Sequence, residues 1–332
     1  MLDGSTILLT GGTGSFGKSF IRAVMTQYDP KKLIVYSRDE YKQYMLREKY
    51  KEYDKKLRFF IGDVRDKERM RRAFDGVDYV IHAAALKQVP SCEYNPFEAV
   101  KTNIHGAENI VDCAIDCGVK KVIALSTDKA VNPINLYGAT KLASDKLFIA
   151  GNAYSGSRST CFSIVRYGNV AGSRGSVIPY FKNLIDKGEL CLPVTDYRMT
   201  RFWIKLDQAV SLVFRALEES KGGETYITRI PSFKITDLAK AMHSDASMRE
   251  IGIREGEKLH EVMVTESDSI NTYEFDDHFI IYPSSYEWWS EKRMKIGGKK
   301  VPEQWRYASD TNREWLDVDQ IKQRLASLEY VD

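Results

Sequence analysis

Through the first 166 positions of this 332-residue chain, short apolar runs alternate with longer stretches in which apolar positions recur every three to four residues. The short runs are Thr6–Thr10, Leu33–Tyr36, Leu57–Ile61, Tyr79–His82, Val122–Ser126 and Phe162–Val165. Rich in β-branched residues, they predict strands, and stretches such as Phe16–Gln27 and Pro96–Cys117 between them predict helices. Strands apolar at nearly every position are buried on both faces. The alternation therefore predicts an α/β fold, a doubly wound parallel sheet of the Rossmann type. Beyond Arg166 the rhythm breaks: Gly168–Ser176 reads as a loop, Ile178–Lys187, Leu206–Glu219 and Ile235–Met242 as helices, and Tyr226–Thr228 as a strand. The division expected is a first domain of residues 1–166 and a smaller C-terminal part of residues 167–332, segments of which are free to return to the first.

Composition changes this picture little. Apolar residues make up 43% and charged residues 29%, the balance of an ordinary globular protein. The net charge of +3 comes from 49 basic and 46 acidic residues that are interspersed, with no concentrated basic face of the kind nucleic-acid binding needs. No apolar run approaches the roughly 18 residues of a membrane helix, and Met1–Gly4 leads straight into a strand rather than a signal peptide, so a cytoplasmic protein is expected. Cys113 and Cys117 share a helical face without a second pair nearby, which predicts reduced thiols rather than a metal centre.

The chemistry starts at the first strand-to-helix turn. Gly11, Gly14 and Gly17 have the spacing that lets a backbone approach a pyrophosphate and lay its charge on a helix N-terminus. The second strand ends in Ser37-Arg38, where an NAD enzyme would carry an acidic residue for the ribose 2′-hydroxyl. A hydroxyl and a guanidinium suit a 2′-phosphate, so NADP is the expected cofactor, while Asp39 keeps NAD open. Asp63 fits an adenine-edge contact, and Ala83–Lys87 should pass beneath the cofactor.

Farther on, Ser126-Thr127-Asp128-Lys129 ends the fifth strand and Tyr137 and Lys141 lie four apart on the next helix, sharing a face. A lysine cation beside a phenol lowers its pKa and makes it a base near neutrality. With these residues in place the chain resembles the extended short-chain dehydrogenase/reductases. Within them it is similar to the inverting UDP-N-acetylglucosamine 4,6-dehydratases of bacterial pseudaminic acid synthesis. The resemblance covers nearly the whole chain and is most specific at Gly11–Lys18, Val35–Glu40, His82–Pro90, Ser126–Lys141, Arg166–Pro179, Met199–Trp203 and Ile251–Glu261. Some related dehydratases carry methionine in place of Tyr137 or are membrane-anchored, and this chain shares neither trait. The aromatic segment from Tyr282 to Gln304 matches least.

The resemblance implies cofactor contacts from Gly11, Thr13, Gly14, Ser15, Phe16, Gly17, Ser37, Arg38, Asp39, Glu40, Lys42, Asp63, Val64, Ala83, Ala84, Lys87, Tyr137 and Lys141. It implies substrate contacts from Lys87, Asn103, Asn169, Val170, Arg174, Ser176, Val177, Ile178 and Thr195, with Glu257 near the ribose hydroxyls. Two phosphates call for cations, and Arg201 and Arg254 are the candidates. A homo-oligomer, a hexamer on the family pattern, and a link to flagellin or surface-polysaccharide glycosylation follow from the resemblance alone.

For such a reaction Tyr137 would take the C4 hydroxyl proton with Thr127 hydrogen-bonding that oxygen, and NADP would accept the C4 hydride. Lys129 would remove the C5 proton and Asp128 would protonate the departing C6 hydroxyl. Burial and the positive charges of Lys141 and the nicotinamide should push Lys129 down so that it can act as a base. Two other functions remain open here. A UDP-sugar 4-epimerase, or a C5-retaining dehydratase, would share the glycine loop and Tyr137/Lys141, although an epimerase needs no Asp–Lys pair. A non-catalytic NADP-binding sensor would commonly lack the tyrosine or the lysine.

Overall fold

A computed structural model describes residues 1–173, 175–283 and 297–328. Six parallel strands form its centre: β1 (Thr6–Thr10), β2 (Lys32–Ser37), β3 (Leu57–Ile61), β4 (Tyr79–His82), β5 (Lys121–Thr127) and β6 (Cys161–Tyr167), in the order 3-2-1-4-5-6. Every residue of β1 is buried, as its unbroken apolar run requires. The strand order reverses between β1 and β4, so a crevice opens at the carboxyl ends of these strands, where open α/β sheets bind ligands.

The large sheet does not stop at residue 166. Helix Leu206–Glu219 makes the crossover from β6 to Thr225–Thr228, which pairs parallel to β6. His278–Ile281, Thr272–Glu274 and Lys299–Lys300 extend the same edge antiparallel. The crossover helix buries Val210, Leu212, Val213 and Leu217 in the core that holds Phe20 and Val24 of helix α1 (Ser15–Gln27). Ser19 and Arg22 of α1 each reach Asp207 at 3.1 Å.

What remains of residues 167–328 makes a smaller unit over the carboxyl edge. Thr200–Phe202 pairs with Ser232–Lys234 and Cys191–Val194 with Ser247–Glu250, around a core of Phe181, Trp203, Phe233, Leu238 and Ile321. Val262–Val264 pairs with Tyr307–Ala308 and packs against the turn Asp128–Ala130, which brings this unit down onto the end of β5.

Two local differences from the sequence reading matter later. A helix Val89–Tyr94 precedes the predicted one, and Pro96–Cys117 is three segments in succession: helix Pro96–Val100, a π-turn Lys101–His105, and helix Gly106–Asp116. Cys113 and Cys117 face helix Lys67–Phe74, where burial pushes the Cys113 thiol up to about 12. Among the described residues no three His, Cys, Asp or Glu side chains gather as a metal site would need, and no helix is long and apolar enough to cross a membrane.

Candidate active site

The crevice is a cleft of about 1280 Å³, larger than the ~300–1000 Å³ of a pocket for one small ligand. One end is the glycine loop. A Cβ on Gly11 would lie 2.8 Å from the Ala83–Ala84 backbone, and one on Gly17 only 2.3 Å from the Gly12 carbonyl oxygen. Glycine at both positions lets the loop fold tightly under α1. Gly14 caps α1 without a side-chain hydrogen bond, and no acidic residue occupies the first turn. The helix start thus offers unpaired N–H groups and a positive dipole end to an anion in the cleft. This cradle fits a dinucleotide pyrophosphate.

At the far end of that loop Ser37, Arg38, Asp39 and Lys42 line the cleft together. Asp39 accepts from the Lys42 backbone N–H at 2.9 Å and pairs with the Lys42 ammonium at 2.8 Å, so it is the N-cap of its own helix. Arg38 lies 3.7 Å from Asp63, whose carboxylate Arg65 also holds. Val64, Ala83, Ala84 and Lys87 line the floor. Glu40 does not line the cleft. Within its helix it sits exposed beside Asp39, a correction to its assignment as a cofactor ligand.

The other end holds the candidate acid–base residues. Helix Leu136–Tyr154 is capped by Asn135, which accepts from the Gly138 N–H at 2.8 Å. A Cβ on Gly138 would stand 2.1 Å from the Lys129 carbonyl oxygen, so only glycine lets this helix press against the Asp128–Lys129 turn. That contact places Tyr137 beside Thr127, with Lys141 buried one turn farther along the same helix. Burial pushes the Tyr137 phenol up, opposed chiefly by its hydrogen bond with Thr127. Burial pushes Lys141 down, opposed by Asp145, itself hydrogen-bonded by Ser126 at 2.6 Å. The expectation that Lys141 would lower the Tyr137 pKa is corrected: burial dominates the phenol.

Thr127 donates to Asp128 Oδ1 at 2.8 Å, and Lys129 Nζ reaches the same oxygen at 3.2 Å and Asn169 Oδ1 at 2.9 Å. Asp128 is fully buried, and its Oδ2 has no partner among the described residues. Burial works to raise the Asp128 carboxyl, but Lys129, the Thr127 hydroxyl and Arg201 outweigh it and hold it below its usual range. Lys129 is the sharper correction. Burial works to lower it, yet Asp128 and Glu261 win, and the amine is held above the ordinary lysine value.

Of the expected substrate residues, Lys87, Asn169, Val170, Ser176, Val177, Ile178, Thr195, Arg201, Arg254 and Glu257 all line the cleft. Arg174 lies outside the described residues. The two arginines separate: Arg254 is exposed on its loop, whereas Arg201 is nearly buried. The Arg201 guanidinium donates to the Thr200 and Leu259 carbonyls at 2.8 and 3.0 Å, and its Nε lies 3.4 Å from Glu261. Asn103 is a correction. It is buried in the π-turn, accepts from the Leu86 N–H at 2.9 Å and donates to the Leu86 carbonyl at 2.9 Å and Thr140 at 3.0 Å. Its amide is spent on tying the β4 loop to helix Leu136–Tyr154. Glu261, absent from the expectations above, also lines the cleft, buried between Lys129 and Arg201.

Residues 7–283 match the model of a family described as polysaccharide biosynthesis protein. The chain belongs to that family. Across 326 residues, 97% of each chain, this family member is 53% identical to UDP-N-acetylglucosamine 4,6-dehydratase (inverting) of Campylobacter jejuni. It is also 40% identical over 338 residues to UDP-glucose 4-epimerase of Rickettsia canadensis, covering 100% of this chain and 98% of that one. Its fold matches the crystal structure of DesIV, a dTDP-glucose 4,6-dehydratase from Streptomyces venezuelae solved with NAD bound. There the TM-score is 0.69 at 25% identity, over 76% of this chain and 86% of that one. The fold is that of the extended short-chain dehydrogenase/reductases.

Proposed function

We propose that this protein is a UDP-N-acetylglucosamine 4,6-dehydratase, a lyase that inverts C5 and gives UDP-2-acetamido-2,6-dideoxy-β-L-arabino-hex-4-ulose. The observation that carries the reading is the Asp128–Lys129 pair, set beside Thr127 and Tyr137 at the closed end of a cleft that begins in a pyrophosphate cradle. Removing the C6 hydroxyl of a hexose requires an acidic proton at C5, and a ketone at C4 supplies that acidity. When bound, NADP supplies the hydride acceptor for C4 and the hydride donor for C6, so no net oxidation occurs.

The chain's own residues handle the protons. Tyr137 must act as a phenolate, a form that burial opposes and the positive charge of a bound nicotinamide would favour; as such it accepts the proton of the C4 hydroxyl while Thr127 holds that oxygen. Lys129 takes the C5 proton, and Asp128 gives one to the departing C6 hydroxyl. In the ion pair Lys129 is charged and Asp128 is not protonated, the reverse of what these roles need. Passing one proton across the 3.2 Å contact yields a neutral amine and a carboxylic acid at no change in net charge. Filling the cleft with sugar favours that transfer, because excluding water penalises the separated charges. Inversion at C5 then requires the proton to return on the opposite face.

Arg38 and Lys42, with Asp39 occupied as a helix cap, support NADP over NAD. Arg254 is our candidate for the UDP pyrophosphate, and Asn169, Ser176 and Glu257 for the nucleotide. We place the enzyme as a homo-oligomer at the first step of pseudaminic acid synthesis in the cytoplasm. The likeness to an epimerase favours a second reading, in which the sugar leaves with its mass unchanged. Mass spectrometry of the product separates the two: loss of one water supports the dehydratase, and loss of that activity in Lys129→Ala supports the base. An unchanged product mass would establish the epimerase instead.

A further inference from the structure

Glu261 is a buried carboxylate that neither cofactor binding nor the steps above employ. It enters the site from the second unit, at the start of the strand Val262–Val264 that packs on the Asp128–Ala130 turn. Its backbone is fixed on both sides by Ser309: the Glu261 N–H donates to Ser309 Oγ at 2.9 Å, and the Ser309 N–H donates to the Glu261 carbonyl at 2.8 Å. From there Oε1 stands 4.0 Å from Lys129 Nζ and 3.4 Å from Arg201 Nε. Its other oxygen, Oε2, is buried with no hydrogen-bond partner among the described residues, and the side chain lines the cleft.

The Lys129 amine therefore sits among three oxygens from three elements: Asp128 at the end of β5, Asn169 in the loop after β6, and Glu261. Asp128 alone would leave this side chain free to swing about its long stem. Asn169 fixes a second direction but carries no charge. Glu261 adds the second negative charge and reaches it from the other unit. We infer that Glu261 is a positioning residue that holds the Lys129 amine toward the reacting end of the cleft and sets how readily it gives up its proton. The inference rests on the proposed dehydratase only for the meaning of that proton, since the geometry exists whatever the substrate.

Other charges face Lys129 as well. Arg201 opposes its positive charge, and Lys87 and Lys258 each feel it from the β4 loop and the Ile251–Lys258 loop. Arg201 also shares Glu261, so one carboxylate is divided between two cations. Burial, and next the charge of Asp128, push the Glu261 carboxyl up. A group so placed responds to any change in charge on its neighbours.

The test is Glu261→Gln, which keeps shape and removes charge, compared with wild type and with Glu261→Asp. The full-length protein is labelled with [ε-13C]lysine, and the Lys129 signal is assigned by its loss in Lys129→Arg. Loss of a unit charge about 4 Å away should bring the Lys129 titration midpoint down by about one pH unit or more, even with Arg201 sharing the carboxylate. In turnover with UDP-N-acetylglucosamine the acid-side limb of kcat should move to lower pH, while its plateau falls at least about tenfold with KM within about threefold because the amine is no longer held in place, and Glu261→Asp should restore part of it. An unchanged Lys129 midpoint, or a rise in KM with kcat preserved, would overturn the inference. Because the titration needs no turnover, failure of wild type to release water would count against the proposed reaction and leave the Lys129 midpoint to judge Glu261.

Discussion

Replacing Asn103 by alanine removes three hydrogen bonds in one step. Two of them hold the Leu86 backbone N–H and carbonyl, and the third reaches Thr140. Thr140 keeps its own bond to the Tyr137 carbonyl at 2.9 Å, so the cost falls on Leu86. Leaving the Leu86 N–H unpaired, and its carbonyl with only the weak Cys92 thiol donor at 3.6 Å, costs about 1–3 kcal/mol each. The sum, roughly 2–6 kcal/mol, is a large share of the ~5–15 kcal/mol that keeps a domain folded. At about 2.1 cal/mol/K of unfolding entropy per residue, 1 kcal/mol moves the melting temperature of a 332-residue chain by about 1.5 °C, so a drop of roughly 3–9 °C is expected. Thermal unfolding by circular dichroism reads this directly, and steady-state kinetics at a temperature where the variant stays folded read the rest. KM for the sugar nucleotide should remain within about threefold of wild type, because the amide makes no contact with the cleft. Unaltered melting together with a KM raised tenfold or more would refute the reasoning and return Asn103 to the substrate.

The remaining predictions concern the cofactor and the acid–base pair. Gly17→Ala forces a Cβ to within 2.3 Å of the Gly12 carbonyl oxygen, so the loop must open. NADP affinity by isothermal titration should fall at least about tenfold through lost contacts at the helix start, and unchanged affinity would contradict the cradle. Arg38→Ala should weaken NADP at least about tenfold and NAD far less. Equal effects on the two would remove Arg38 from the 2′-phosphate. Asp128→Asn takes away a negative charge that holds the Lys129 proton, so the ammonium should deprotonate at lower pH. The acid-side limb of kcat should shift downward in pH accordingly, while its plateau falls about 10²-fold for want of the acid. A limb that does not move would show that another group sets it.

The sheet was legible because its strands are buried on both faces, which leaves an unbroken apolar run such as Ile7–Leu9 or Val122–Leu125. The turn that carries the candidate acid–base residues was legible because Thr127, Asp128 and Lys129 are consecutive and Tyr137 and Lys141 share a helical face. What failed depended on pairings far apart in sequence. Strands as short as Val262–Val264 and Tyr307–Ala308 carry too few residues for a period, and only their antiparallel pairing puts Glu261 beside Lys129. Burial and the positive charges of Lys141 and the nicotinamide argued for a depressed Lys129, but Asp128 first and Glu261 next outweigh burial and hold the amine above its ordinary value. Asn103 misled for a similar reason. The π-turn at Lys101–His105 shifts the helical face, and it aims the amide at Leu86 rather than into the cleft.

The measurement that bears most directly on the central claim is proton NMR of the purified enzyme with UDP-N-acetylglucosamine in deuterated buffer. The account predicts a new C6 methyl signal, a 4-keto sugar or its hydrate, deuterium at C5, and ring couplings of the inverted configuration. A hexose that keeps its C6 hydroxyl and only changes configuration at C4 would contradict it.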